Sequence, residues 1–162
     1  MRKGFFCLVS LLALLFACAP IPRQSLKDAD STISFQALLK DPEKYQGKLV
    51  LLGGQIMTTT VGQGETWVEV LQHPLNWRQK PEDPDVSYGR FLIRFKDLRD
   101  PAVYAKGRMI TVLGEVQGQR IMPLQKIEYT YPVLDPRESY LWKSGAEGGT
   151  FFQFGLGVGI SR

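Results

Sequence analysis

The chain has 162 residues, 44% of them hydrophobic and 22% charged, with one histidine, two cysteines and a formal net charge of +4. That length suits one domain with its own core, and no run of Lys or Arg marks a nucleic-acid footprint. The single histidine, His73, excludes a multi-histidine zinc centre, and a Ser-His-Asp triad would have to use it.

The chain opens with Arg2 and Lys3, followed by an almost wholly apolar run from Gly4 to Ala17 in which only Ser10 is polar. At about 14 residues the run fits a signal-peptide core and falls short of the roughly 20 needed for a membrane-spanning helix. It ends in Leu15-Phe16-Ala17-Cys18, which resembles the bacterial lipoprotein signal, with Leu15, Ala17 and Cys18 matching and Phe16 bulkier than usual. The resemblance implies cleavage between Ala17 and Cys18, with a diacylglycerol on the Cys18 thiol and an acyl chain (palmitate) on the new N-terminus. Two or more chains make a stable anchor where one does not. The partner expected first is therefore a membrane, held by the lipid. An uncleaved helix or a plain secretory signal are the other readings of this stretch. Residue 19 is Ala, not Asp, which by similarity to known sorting favours the outer membrane.

Removal of residues 1–17 leaves eighteen Lys and Arg against sixteen Asp and Glu, a side-chain charge of +2. Cys7 leaves with the signal and Cys18 is acylated, so no free thiol remains for a disulfide, a nucleophile or a metal. No metal, cofactor or catalytic residue is expected.

Residues 18–31, with Pro20 and Pro22 and no hydrophobic period, read as a flexible tether with a reach of roughly 40 Å. Ser34 is placed to N-cap a short helix carrying Phe35, Leu38 and Leu39, and Asp41-Pro42 opens a further helical turn that ends at Gly47. A first strand is expected over 48–58, with Val50, Leu52 and Ile56 on one face, Leu49 and Leu51 on the other, and a bend at Gly53-Gly54. Gly62-Gln63-Gly64 forms a hairpin turn before a second strand over 66–71, where Trp67, Glu69 and Leu71 lie opposite Val68 and Val70. His73, before Pro74, reads as a turn or surface residue. A long loop over 74–84 leads to a third strand, 88–95, with Phe91, Ile93 and Phe95 opposite Arg90, Leu92 and Arg94.

The pattern Asp41-Pro42-x-x-Tyr45-x-Gly47-Lys48-x-Val50-x-Leu52-x-Gly54 then returns as Asp100-Pro101-x-x-Tyr104-x-x-Gly107-Arg108-x-Ile110-x-Val112-x-Gly114. Two such copies are too few for a solenoid and point to two equivalent ways into strands of one β-domain. A fourth strand is expected over 109–116, a turn at Gly118-Gln119 and a fifth strand over 121–133, its prolines confining it to an edge or irregular geometry. About five strands with Gly bends suit a mainly β fold, a small Greek-key barrel of the OB type over 32–134, with a β-sandwich as the alternative. Residues 135–162 are expected to form an aromatic and Gly-rich tail, although the alternating stretch from Phe151 to Ile160 would also serve as a last strand.

Several of these pieces together resemble the Slp family of starvation-inducible outer membrane lipoproteins. They are Phe35-x-x-Leu38, Pro42-x-x-Tyr45-x-Gly47-Lys48, Gly53-Gly54-x-Ile56, Glu69-Val70-x-Gln72-x-Pro74-Leu75, Gly89-Arg90-Phe91 and Gly107-Arg108-x-Ile110-Thr111-Val112-x-Gly114. The resemblance implies a lipid-anchored, periplasm-facing outer membrane protein of the cell envelope, related to stress or starvation, and carries no catalytic residues.

The function expected is a non-catalytic structural or interaction role with an envelope protein or glycan. Trp67, Trp77 and Tyr88 could supply the surface, although each is expected in the core. The alternative is a binding module that presents the barrel face to an oligosaccharide or other polyanion, with Arg90, Arg94, Arg108 and Lys48 lining it. A hydrolase would need an acid/base pair among Glu65, Glu69, Asp83 and Asp85, and no motif fixes one. Nucleic acid is not expected as a partner.

Overall fold

The computed structural model describes residues 20–82 and 85–143. The processing site at Ala17 and Cys18, Asp83 and the stretch from Phe151 onward lie outside the described residues. The chain is mainly β: strands β1 (Leu49–Gly62), β2 (Glu65–Gln72), β3 (Arg90–Phe95), β4 (Met109–Leu124) and β5 (Ile127–Leu141) make one sheet. The sheet closes on itself in the order β1-β2-β3-β5-β4 and back to β1. Every pair is antiparallel except β3 with β5.

Period-two alternation explains the interior. Val50, Leu52 and Ile56 of β1, Val68 and Val70 of β2, Phe91, Ile93 and Phe95 of β3, and Ile110, Val112 and Val116 of β4 fill one core. A short helix, α1 (Phe35–Lys40), plugs it with Phe35 and Leu38, and the Ser34 hydroxyl accepts from the Ala37 N–H at its start, the expected cap. Leu49 and Leu113 point outward and build a second cluster, and Leu92, Tyr131 and Val133 a third.

Closure depends on the bend at Gly53-Gly54. Gly54 pairs with Gln72 of β2 on one side and Ile110 of β4 on the other, so β1 changes partner there. A Cβ on Gly54 would overlap the Leu71 carbonyl, and one on Gly53 would press on Leu75 and the Ile110 carbonyl.

The sequence repeat acquires a geometric meaning. Gly47 N–H donates to Val116 O and Val116 N–H to Lys48 O, while Gly107 N–H donates to Ile56 O and Ile56 N–H to Arg108 O. The two Asp-Pro units thus close opposite ends of the β1·β4 ladder in the same way. Each turns on a glycine with positive φ, 78° at Gly47 and 89° at Gly107.

Three expectations change. β4 runs through Gly118-Gln119, which is a bulge where the register shifts, and the true hairpin turn is at Gln125-Lys126. β5 therefore starts later and runs to Leu141, beyond the expected domain limit at 134. Its Pro132 and Pro136 pair beside the two register shifts of the β4·β5 ladder, where ladder bonds are interrupted. Finally, the described part of the expected tether is packed. Ser25–Asp28 forms a 3-10 turn, Asp30 N–H donates to Leu49 O, and Ile21 is buried against Leu49 and Leu113. The apolar Ile21 and Leu26 meet the outward leucines of β1 and β4, which would otherwise be bare.

Candidate functional site

The outer face of β2 and β3 carries the most distinctive surface. An open groove of about 410 Å³ runs between the β1–β2 hairpin and the projecting β4–β5 hairpin. Thr58, Thr60 and Gln63 come from the first hairpin, Trp67 from β2, and Arg120 and Met122 from the β4 arm. Trp67 packs on the Leu92, Tyr131 and Val133 cluster.

Trp67 is fixed from several sides. Its Nε1–H donates to Glu65 Oε1 at 2.6 Å, and the Arg120 guanidinium lies 4.6 Å from the ring centroid, with that of Arg94 at 5.8 Å. Arg120 is exposed and makes no ion pair among the described residues. Glu69 is bound at 2.6 Å by Arg90 and accepts from the Tyr131 hydroxyl at 3.3 Å. Burial, with the Glu69 carboxylate beside it, pushes the Tyr131 hydroxyl up, so it stays a neutral donor. Glu65 and Glu69 are thus both held by donors, an arrangement that orients the groove wall.

Arg94 is gripped by Asp135, Nε to Oδ1 and Nη2 to Oδ2, both at 2.8 Å, and Lys96 adds a contact at 2.9 Å. Burial pushes the Asp135 carboxyl up, but the Arg94 and Lys96 hydrogen bonds outweigh it and hold it below its ordinary value. The same pairing raises Arg94.

The structure brings Trp67, Glu65, Glu69, Arg90 and Arg94 together and separates the other candidates. Arg108 sits at the opening of β4, where its guanidinium donates to the carbonyls of Val103 and Trp142 at 2.7 Å each. Lys48 is exposed at the opening of β1. Asp85 is exposed in the loop before β3. Trp77 and Tyr88, expected inside, are exposed, and Trp67 is half-buried because outward positions of β2 face the groove. His73, expected in a turn or at the surface, is fully buried, with Nδ1 2.9 Å from Val86 O.

Arg120 and Met122 were hidden from sequence reasoning by the turn expected at Gly118-Gln119. The alternation Arg120, Met122, Leu124 up to Gln125-Lys126 is the signal that finds them. Among the described residues no group of three His, Cys, Asp or Glu could hold a metal, and no helix is long and apolar enough to cross a membrane.

Comparison with known proteins places the chain. The model of the outer membrane lipoprotein Slp family matches residues 15–153. The chain belongs to the Slp family. It is similar to outer membrane protein Slp of Escherichia coli, with 31% identity over 145 residues, 88% of this chain and 76% of that one. An uncharacterized protein of Haemophilus influenzae is 32% identical over 129 residues, 79% and 70% of the two chains. The uncharacterized lipoprotein YeaY of Escherichia coli is 25% identical over 107 residues, 65% and 54%. No solved structure matches. Membership of the Slp family makes this chain an outer membrane lipoprotein.

Proposed function

We propose that this Slp family protein is a non-catalytic envelope interaction module, anchored through acylated Cys18 after cleavage behind Ala17, that faces the periplasm and binds an oligosaccharide in the Trp67 groove. The observation that carries this is the half-buried Trp67 ring stacked by Arg120, which has no ion pair among the described residues, between two hairpins. A small Greek-key barrel of the OB type binds oligosaccharides and oligonucleotides on its strand 2–3 face, between the loops joining strands 1–2 and 4–5. The ring order and the single parallel pair, β3 with β5, support that comparison.

The chemistry favours a sugar. An aromatic ring offers a flat apolar platform, and the Thr58 and Thr60 hydroxyls with the Gln63 amide can exchange hydrogen bonds with sugar hydroxyls. Arg120 adds a preference for an acidic group. A side-chain charge of only +2 after processing and the Glu65 and Glu69 carboxylates in the wall disfavour a nucleic-acid backbone.

Isothermal titration of the purified protein with neutral and acidic oligosaccharides released from bacterial envelopes tests this. Binding of an acidic oligosaccharide, weakened tenfold or more by Trp67→Ala and by Arg120→Gln, is the expected result. Absence of binding, or binding indifferent to both substitutions, overturns it. The anchor is tested by Cys18→Ser, which should release the protein from membranes or leave an unprocessed precursor. Fractionation of that variant as mature outer membrane protein would contradict acylation.

A further inference from the structure

Trp77 is the most exposed large hydrophobic residue of the described chain, at 85%, and its place in the fold is specific. It stands at the tip of a tight turn closed by Asn76 N–H to Lys80 O at 2.9 Å and Gln79 N–H to Asn76 O at 2.8 Å. The Asn76 side-chain oxygen accepts from the N–H groups of Arg78 and Lys80, which stiffens the turn. Arg78 lies over the Trp77 ring at 4.5 Å from its centroid. A rigid turn that presents an unburied indole with a cation beside it has no role in the core.

The same turn holds the start of the mature chain. Gln79, at φ 64°, points inward and its carboxamide brackets Ile21: Ile21 N–H donates to Oε1 at 3.0 Å and Nε2–H donates to Ile21 O at 3.2 Å. The Gln79 carbonyl accepts from the Thr111 hydroxyl at 2.6 Å, which ties the turn to β4. Ile21 is only three residues after Cys18, a length of chain that reaches about 10 Å at most. A packed residue this close to the lipid leaves no slack to lift the domain away from the bilayer.

We propose that the Trp77-Arg78 tip is an interfacial membrane contact, inserted among the lipid headgroups beside the Cys18 anchor. Indole rings partition to the headgroup region because one end is apolar and the other hydrogen-bonds, and a guanidinium meets the lipid phosphates there. Arg23 and Lys27, both exposed on the segment that follows Ile21, add cations near the chain's start. The acyl chains and the indole then make two attachments, which fix the orientation of the closed sheet on the membrane.

This inference rests on acylation of Cys18, and its test separates the two. The mature full chain carrying Trp67→Phe and Trp142→Phe keeps Trp77 as its sole tryptophan. It is reconstituted in vesicles of phosphatidylethanolamine and phosphatidylglycerol, with part of the lipid brominated near the top of the acyl chain. Trp77 emission should fall at least twofold against unbrominated vesicles. If the double variant does not fold, Trp77→Cys labelled with bimane gives the same readout, because the Cys18 thiol is blocked. Mass spectrometry of the N-terminal peptide decides acylation independently. An acylated chain whose residue 77 is unquenched overturns the proposal alone, whether the tip stays in water or is covered by a protein. A chain without acyl groups overturns the anchor reading and the proposal with it.

Discussion

The Arg94 guanidinium and the Asp135 carboxylate lace the seam at which the sheet closes. The parallel ladder there is short, Leu92 with Val133 and Ile93 with Leu134, and the bidentate pair crosses from β3 to β5 directly beside it. Parallel pairing is slightly weaker per residue than antiparallel, so a side-chain clamp matters more here than elsewhere.

Asp135→Asn should therefore lower stability by about 2 kcal/mol at neutral pH. The pH dependence has a definite sign. The folded carboxyl titrates below its unfolded value, so its contribution is complete above the ordinary carboxylate range and is lost as pH falls through the depressed folded value. Urea denaturation of wild type and variant at several pH values should give curves that separate at pH 7 and converge in acid. A gap that widens in acid would contradict the pairing.

Gln79→Ala should cost about 2–3 kcal/mol, since it leaves the buried N–H and C=O of Ile21 without their partners. Hydrogen exchange supplies the specific readout. Protection of the Ile21 amide should fall while that of the core strands changes little. Gln79→Glu should be nearly as damaging, because a carboxylate accepts from the N–H but cannot donate to the carbonyl.

The repeat predicts a matched pair of effects. Gly47→Ala and Gly107→Ala each place a Cβ in open space at positive φ, so each should cost about 1–2 kcal/mol from backbone strain alone. Gly54→Ala should cost more, about 4 kcal/mol or loss of folding, because its Cβ overlaps the Leu71 backbone. Thermal unfolding of the three variants checks the order.

The interior faces were legible in the sequence because period-two patterning is local. Val68 and Val70 against Trp67 and Glu69, and Phe91, Ile93 and Phe95 against Arg90 and Arg94, follow from alternation alone. The extent of β4 and β5 was not legible. Gly118 and Pro132 look like strand breakers, yet the ladder absorbs them at bulges that depend on the partner strand. The packed start was hidden for a related reason. Ile21 packs on Leu49 and Leu113 of distant strands, and Gln79, 58 residues away, satisfies both of its backbone groups. The site is half visible in the sequence: Trp67 and Arg94 stand out in the strand patterning, but Arg120 enters the groove only through the register of the long hairpin.

Binding at the Trp67 groove is tested most directly by amide chemical-shift mapping of the isotopically labelled protein titrated with an acidic envelope oligosaccharide. Shifts should cluster at Thr58, Thr60, Gln63, Trp67, Arg120 and Met122, with the Trp67 indole N–H among the largest. Shifts that gather on another face, or none at saturating sugar, would contradict it.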